Sequence, residues 1–68
     1  MTSELSYRTM RRSNDRFEWF VEERQFNADG DKTHTILWET GVERSRAKAG
    51  QTARRYLAKV EAHLESII

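Results

Sequence analysis

Sixty-eight residues hold one domain at most, and a chain of that size buries so little apolar surface that it is only marginally stable unless self-association adds to its core. It contains no cysteine, which excludes a disulfide framework and a thiolate zinc site and fits a cytoplasmic protein. Twelve basic residues nearly cancel eleven acidic ones, but unevenly: residues 17–43 carry seven acids against Arg24 and Lys32, while Arg44 to Lys59 carry six bases and no acid.

The opening residues Met1-Thr2-Ser3-Glu4-Leu5 show no charged region leading into an apolar stretch, and no run approaches the ~20 apolar residues that span a bilayer. No membrane association is expected. Proline is absent and no segment repeats or falls in complexity, so residues 1–68 are read as a single domain.

Leu5 to Met10 alternates weakly and Ser13-Asn14-Asp15 supplies turn residues, which predicts a first strand over 5–11. Residues 16–26 and 32–40 are rich in aromatic and β-branched side chains and flank Asn27-Ala28-Asp29-Gly30-Asp31, predicting a hairpin. With Asp29-Gly30 as a two-residue tip, Val21 opposes Trp38 and Glu23 opposes Ile36. Phe17, Trp19, Val21, Ile36 and Trp38 then share a core face, leaving Phe20, Phe26 and Leu37 exposed on the reverse. A three-residue loop, Ala28-Asp29-Gly30 with the glycine left-handed, instead opposes Phe20 to Trp38.

A helix is predicted over 43–66, because Ala49, Ala53, Tyr56, Leu57, Val60, Leu64 and Ile67 recur at three- and four-residue steps. Ser45 suits the N-cap, and Gly50 reads as a close packing contact against the sheet or an approach to a nucleic-acid backbone. The expected fold is therefore α+β: a two- or three-stranded antiparallel β-meander followed by one long C-terminal α-helix packed across the sheet, small enough for a homodimer.

Among candidate functional residues the bases Arg44, Arg46, Lys48, Arg54, Arg55 and Lys59 stand first. At ~100° per residue Arg44, Lys48, Arg55 and Lys59 project into one arc opposite the apolar face. They also occupy the half of the helix where the peptide dipole favours acids, and lack the Glu partners an ordinary solvated helix carries. Such a stripe suits phosphates, through counterion release and bidentate arginine geometry. Arg8, Arg11 and Arg12 would extend it if the first strand folds alongside.

Ser45-Arg46-Ala47-Lys48-Ala49-Gly50-Gln51-Thr52-Ala53, following a strand, resembles the closing strand-to-helix step of double-stranded-RNA-binding domains. That resemblance implies phosphate contacts from the helix start. Ala47 and Gly50, however, stand where the family carries further lysines, and its first helix has no counterpart here. A meander followed by a helix is also similar to the arm-DNA-binding domains of phage-type integrases.

The leading expectation is a non-enzymatic nucleic-acid-binding or accessory domain. The rival is a protein-interaction module, a small phage- or plasmid-type regulator or inhibitor, working through Phe20, Glu22, Glu23 and Phe26 of an acidic hairpin, with self-association through Phe20, Phe26 and Leu37 as a further alternative. No catalytic residue, metal ligand or cofactor is assigned: His34 and His63 lack ligand spacing, Asp29 and Asp31 lack the rest of a calcium loop, and the hairpin glutamates lack a pocket to tune them.

Overall fold

Alternating side chains carry the first strand further than its weak pattern suggests. In the computed structural model, which describes residues 2–67 with side chains as far as Ser66, β1 runs over Thr2–Ser13, β2 over Arg16–Phe26, β3 over Lys32–Glu43 and α1 over Arg46–Ile67. The position expected for the Ile67 side chain lies outside the described residues. The strands form one antiparallel sheet in the order β1-β2-β3, with the helix packed on one face, so the α+β meander-plus-helix architecture is the fold.

The boundaries differ from expectation at three places. β1 is longer than 5–11, β3 continues past residue 40, and the helix starts at Arg46 rather than 43. Pairing explains the second: Glu18 faces Val42 and Phe17 faces Glu43, so the ladder runs on through Gly41. Capping explains the third, because the Ser45 hydroxyl accepts from the Lys48 amide at 3.1 Å and the Ser45 carbonyl accepts from the Ala49 amide at 3.0 Å.

The hairpin closes on the three-residue loop. Gly30 has φ +88°, and no other described residue has positive φ, so Asp29 does not share a two-residue type I′ tip. Asn27 organises the turn: its carbonyl accepts from the Gly30 amide, and its side-chain Oδ1 accepts from the amides of Asp29 and Asp31, all at 3.0 Å. Neither expected register then survives along the whole hairpin. Phe26 faces Lys32, one bulge brings Glu23 opposite Ile36 as predicted, and a second puts Val21 opposite Glu39 and Phe20 opposite Thr40. Each bulge adds a residue to β3, Thr33 and then Trp38. The Thr33 hydroxyl donates to the Gln25 carbonyl at 3.1 Å, pinning the first.

Trp19 and Val21 of β2 meet Ala49 and Ala53 of α1, with Leu5, Phe17, Trp38, Tyr56, Leu57 and Val60 around them. The two alanines let the helix axis lie close to the sheet. Trp19, only 4% exposed, stacks on Tyr56 with ring centroids 5.0 Å apart. Its other edge lies on Gly41, where a Cβ would stand 2.6 Å from Trp19 Cζ2. Gly41 is therefore the close approach in this fold, and it is what lets β3 pass beneath the indole. Ile36 is half-buried and stands outside this cluster.

Gly50 is different. A Cβ there meets nothing within 4 Å, so the expected tight contact with the sheet is absent. Gly50→Ala is therefore expected to raise unfolding stability by about 1 kcal/mol, through helix propensity and a less disordered unfolded chain, read as a higher urea midpoint at unchanged m-value.

The Cα envelope measures 41 × 27 × 13 Å, a slab with the helix on one face and open sheet on the other. Cross-strand partners share a face, so Ser6, Arg8 and Met10 lie on the open side with Glu22, Phe20 and Glu18, and Leu5, Tyr7, Thr9 and Arg11 lie on the helix side. Phe20 was expected to be exposed there. It is only 9% exposed, because it sits in the central strand with the Arg8 guanidinium 4.0 Å above its ring.

Candidate nucleic-acid interface

Three of the six helix-associated bases, Arg44, Arg46 and Lys48, gather at the start of α1, where the backbone already carries positive charge. Ser45 caps α1, and Lys48 occupies the third helical position, where a capping box would carry Glu. The first turn holds no acid and the last turn no base. Each such placement opposes the macrodipole at a cost of roughly 0.3–1 kcal/mol, and the same opposition raises the positive potential off the N-terminal half.

Arg44, Arg46, Lys48, Arg54, Arg55 and Lys59 are all exposed. The ion pairs among the described residues are Arg8–Glu22, Arg12–Glu18 and Arg16–Asp15, so none of the six is neutralised by a carboxylate. Lys48, Arg55 and Lys59 project into an arc of ~40° and span about 16 Å along the axis. Arg44 precedes the helix, on the bend between β3 and α1, so it approaches the stripe from the loop rather than from a helical turn.

The stripe rests on the core. Lys59 Nζ lies 5.0 Å from the Tyr56 ring centroid, and Tyr56 stacks on Trp19, which in turn covers Gly41. Arg46 turns toward the sheet, its guanidinium 5.8 Å from the Phe17 ring. Arg54 lies off the arc, on the same flank as Gly50. The i,i+3 spacing of Tyr56 and Lys59 was a legible signal for this column, whereas the role of Gly41 was not.

The first strand forms, yet it does not lengthen the stripe. Arg8 and Arg12 lie on the open face and are taken up by Glu22, at 2.7 Å, and by Glu18. Arg11 lies on the helix side, but its guanidinium donates to Asn14 Oδ1 at 2.6 Å and to the Ser13 carbonyl at 3.3 Å. Strand parity sends the even-numbered arginines away from the helix.

Of the hairpin residues named for a protein partner, Phe20, Glu22 and Phe26 share the open face and Glu23 does not. Glu22 is on the open face with Arg8, whereas Glu23 is on the helix face, where Oε1 accepts from Trp38 Nε1 at 3.1 Å. Phe26 is half-buried near the hairpin end, between Thr2 and Lys32. Leu37, 53% exposed, remains an apolar group on the open face. His34 faces Gln25, and His63 stands edge-on to Trp38 at 6.5 Å.

No group of three His, Cys, Asp or Glu that could hold a metal occurs among the described residues, and no pocket opens between helix and sheet. No described helix is long and apolar enough to cross a membrane. No helix precedes the sheet within the described residues, so the resemblance to double-stranded-RNA-binding domains is confined to the β3–α1 junction. No protein-family model, curated protein or solved structure matches the chain.

Proposed function

We propose that this is a non-enzymatic nucleic-acid-binding domain that lays the exposed face of α1 along a phosphate backbone. One observation carries the reading: six exposed bases, none paired to a carboxylate among the described residues, run from the bend before α1 to Lys59, and Arg44, Arg46 and Lys48 sit at the helix start, where the dipole adds to their field. Lys48, Arg55 and Lys59 contact phosphates directly, and Arg44, Arg46 and Arg54 flank them. The cysteine-free composition suits the cytoplasm for such a partner. The rival surface, the acidic hairpin, spends Glu22 and Glu23 on Arg8 and Trp38 and keeps Asp29 and Asp31 at its exposed tip.

The test is a salt titration of binding to a short duplex. Four to six neutralised phosphates give log K a slope of about −4 to −5 against log salt on B-form DNA, and no binding at low salt would end the reading.

A further inference from the structure

The sheet has two free edges, and only one is built to pair. β3 carries two bulges, at Thr33 and Trp38, which twist and interrupt its outer row of backbone groups. β1 pairs with β2 without a break from Thr2 to Arg11, so its other side presents a straight ladder of amides and carbonyls with no strand beside it. Bulges are a device for blocking strand addition; β3 carries two within its ladder, whereas β1 carries one only at its far end, at Arg12, which leaves Thr2 to Arg11 as the uninterrupted open edge.

The residues along β1 are self-complementary in one antiparallel register. Centred on Ser6, two copies set Glu4 opposite Arg8 and Leu5 opposite Tyr7, each pair occurring twice through the two-fold axis. Glu4 and Arg8 share the open face, and Leu5 and Tyr7 share the helix face, so each pair meets on one side of the sheet. Tyr7 is 38% exposed despite lying on the covered side, and Leu5 already borders the core. Among registers that keep both helices on one face, this is the one that gives Glu4 an arginine without opposing arginine to arginine; a centre on Arg8 fails in that respect. Arg11 and Arg12 fall beyond the paired segment.

We propose that the chain dimerises through β1, edge to edge about Ser6, into a continuous six-stranded antiparallel sheet. The second copy is the occupant because the edge carries both charges in mirrored positions, which a uniformly charged partner would not match. Both helices then lie on the same face of the joined sheet, antiparallel to each other. The dimer requires no ligand, so its test is independent of nucleic-acid binding.

Sedimentation equilibrium of the full chain without nucleic acid is expected to show a dimer, and Glu4→Lys is expected to raise its dissociation constant by about tenfold or more while circular dichroism stays unchanged. Because the chain has no cysteine, Ser6→Cys is a clean probe of register. Ser6 of the two copies would lie ~4.5–5.5 Å apart, within disulfide reach, so mild oxidation links them. Met10→Cys would stand about 27 Å from its counterpart and stay unlinked. A monomer at millimolar concentration, or a dimer in which Met10→Cys links and Ser6→Cys does not, overturns the proposal.

Discussion

Replacing Gly41 by valine is expected to lower the melting temperature by roughly 10–20 °C, the largest loss of stability for any single change argued for this chain. The reason is local and steric. A Cβ at this position stands 2.6 Å from Trp19 Cζ2, 2.7 Å from Cε2 and 2.8 Å from Nε1, and these belong to a fused ring rather than to the loose end of a flexible chain. Trp19 has nowhere to retreat, since its other face stacks on Tyr56. Overpacking of this kind costs about 1–3 kcal/mol, and in a 60–100-residue domain each kcal/mol moves the midpoint by about 4–8 °C.

The same geometry predicts coupling. Trp19 Nε1 is buried with no hydrogen-bond partner, so Trp19→Phe removes an unsatisfied donor along with the atoms that Gly41→Val would strike. Trp19→Phe with Gly41→Val is therefore expected to be less damaging than the two losses added, by roughly 1 kcal/mol or more in a denaturation double-mutant cycle. Additive losses would mean that valine at 41 acts through something other than the indole.

Arg55→Glu combined with Lys59→Glu is expected to weaken duplex binding about 100-fold at low salt and to reduce the magnitude of the salt slope by about 2, one for each lost phosphate contact. Both side chains are exposed and unpaired with acids, so the fold should persist with at most the ~0.5–1 kcal/mol that Lys59 gains over Tyr56. Lys32→Glu on the hairpin supplies the control for net charge. It should change affinity only several-fold, because Lys32 lies at the start of β3, away from the helix stripe. Because Lys32→Glu shifts the net charge half as far as the double variant, a loss half as large on the logarithmic scale would show that bulk charge, not the stripe, governs binding.

Much of this fold was legible because hydrophobic periodicity reports burial directly. The alternation Phe17, Trp19, Val21 and the helical recurrence Ala49, Ala53, Tyr56, Leu57, Val60 both name residues of the observed core. The two bulges were not legible, since Thr33 and Trp38 are ordinary strand residues and an inserted position leaves no compositional mark. The role of Gly41 was not legible either: its missing side chain admits Trp19, and the sequence does not say which ring a strand glycine faces. At the candidate site the charges of Lys48, Arg55 and Lys59 and their shared arc followed from spacing alone. The fate of Arg8 and Arg12 did not, because it depends on which glutamates the β1–β2 register places beside them.

The most direct measurement is an amide NMR titration of isotope-labelled protein with a short duplex at low salt. Binding along the helix predicts shift changes concentrated between Arg44 and Lys59, strongest at Lys48, Arg55 and Lys59, and reversed by added salt. Changes centred instead on the open sheet face around Phe20 and Leu37, or no changes at all, would contradict it.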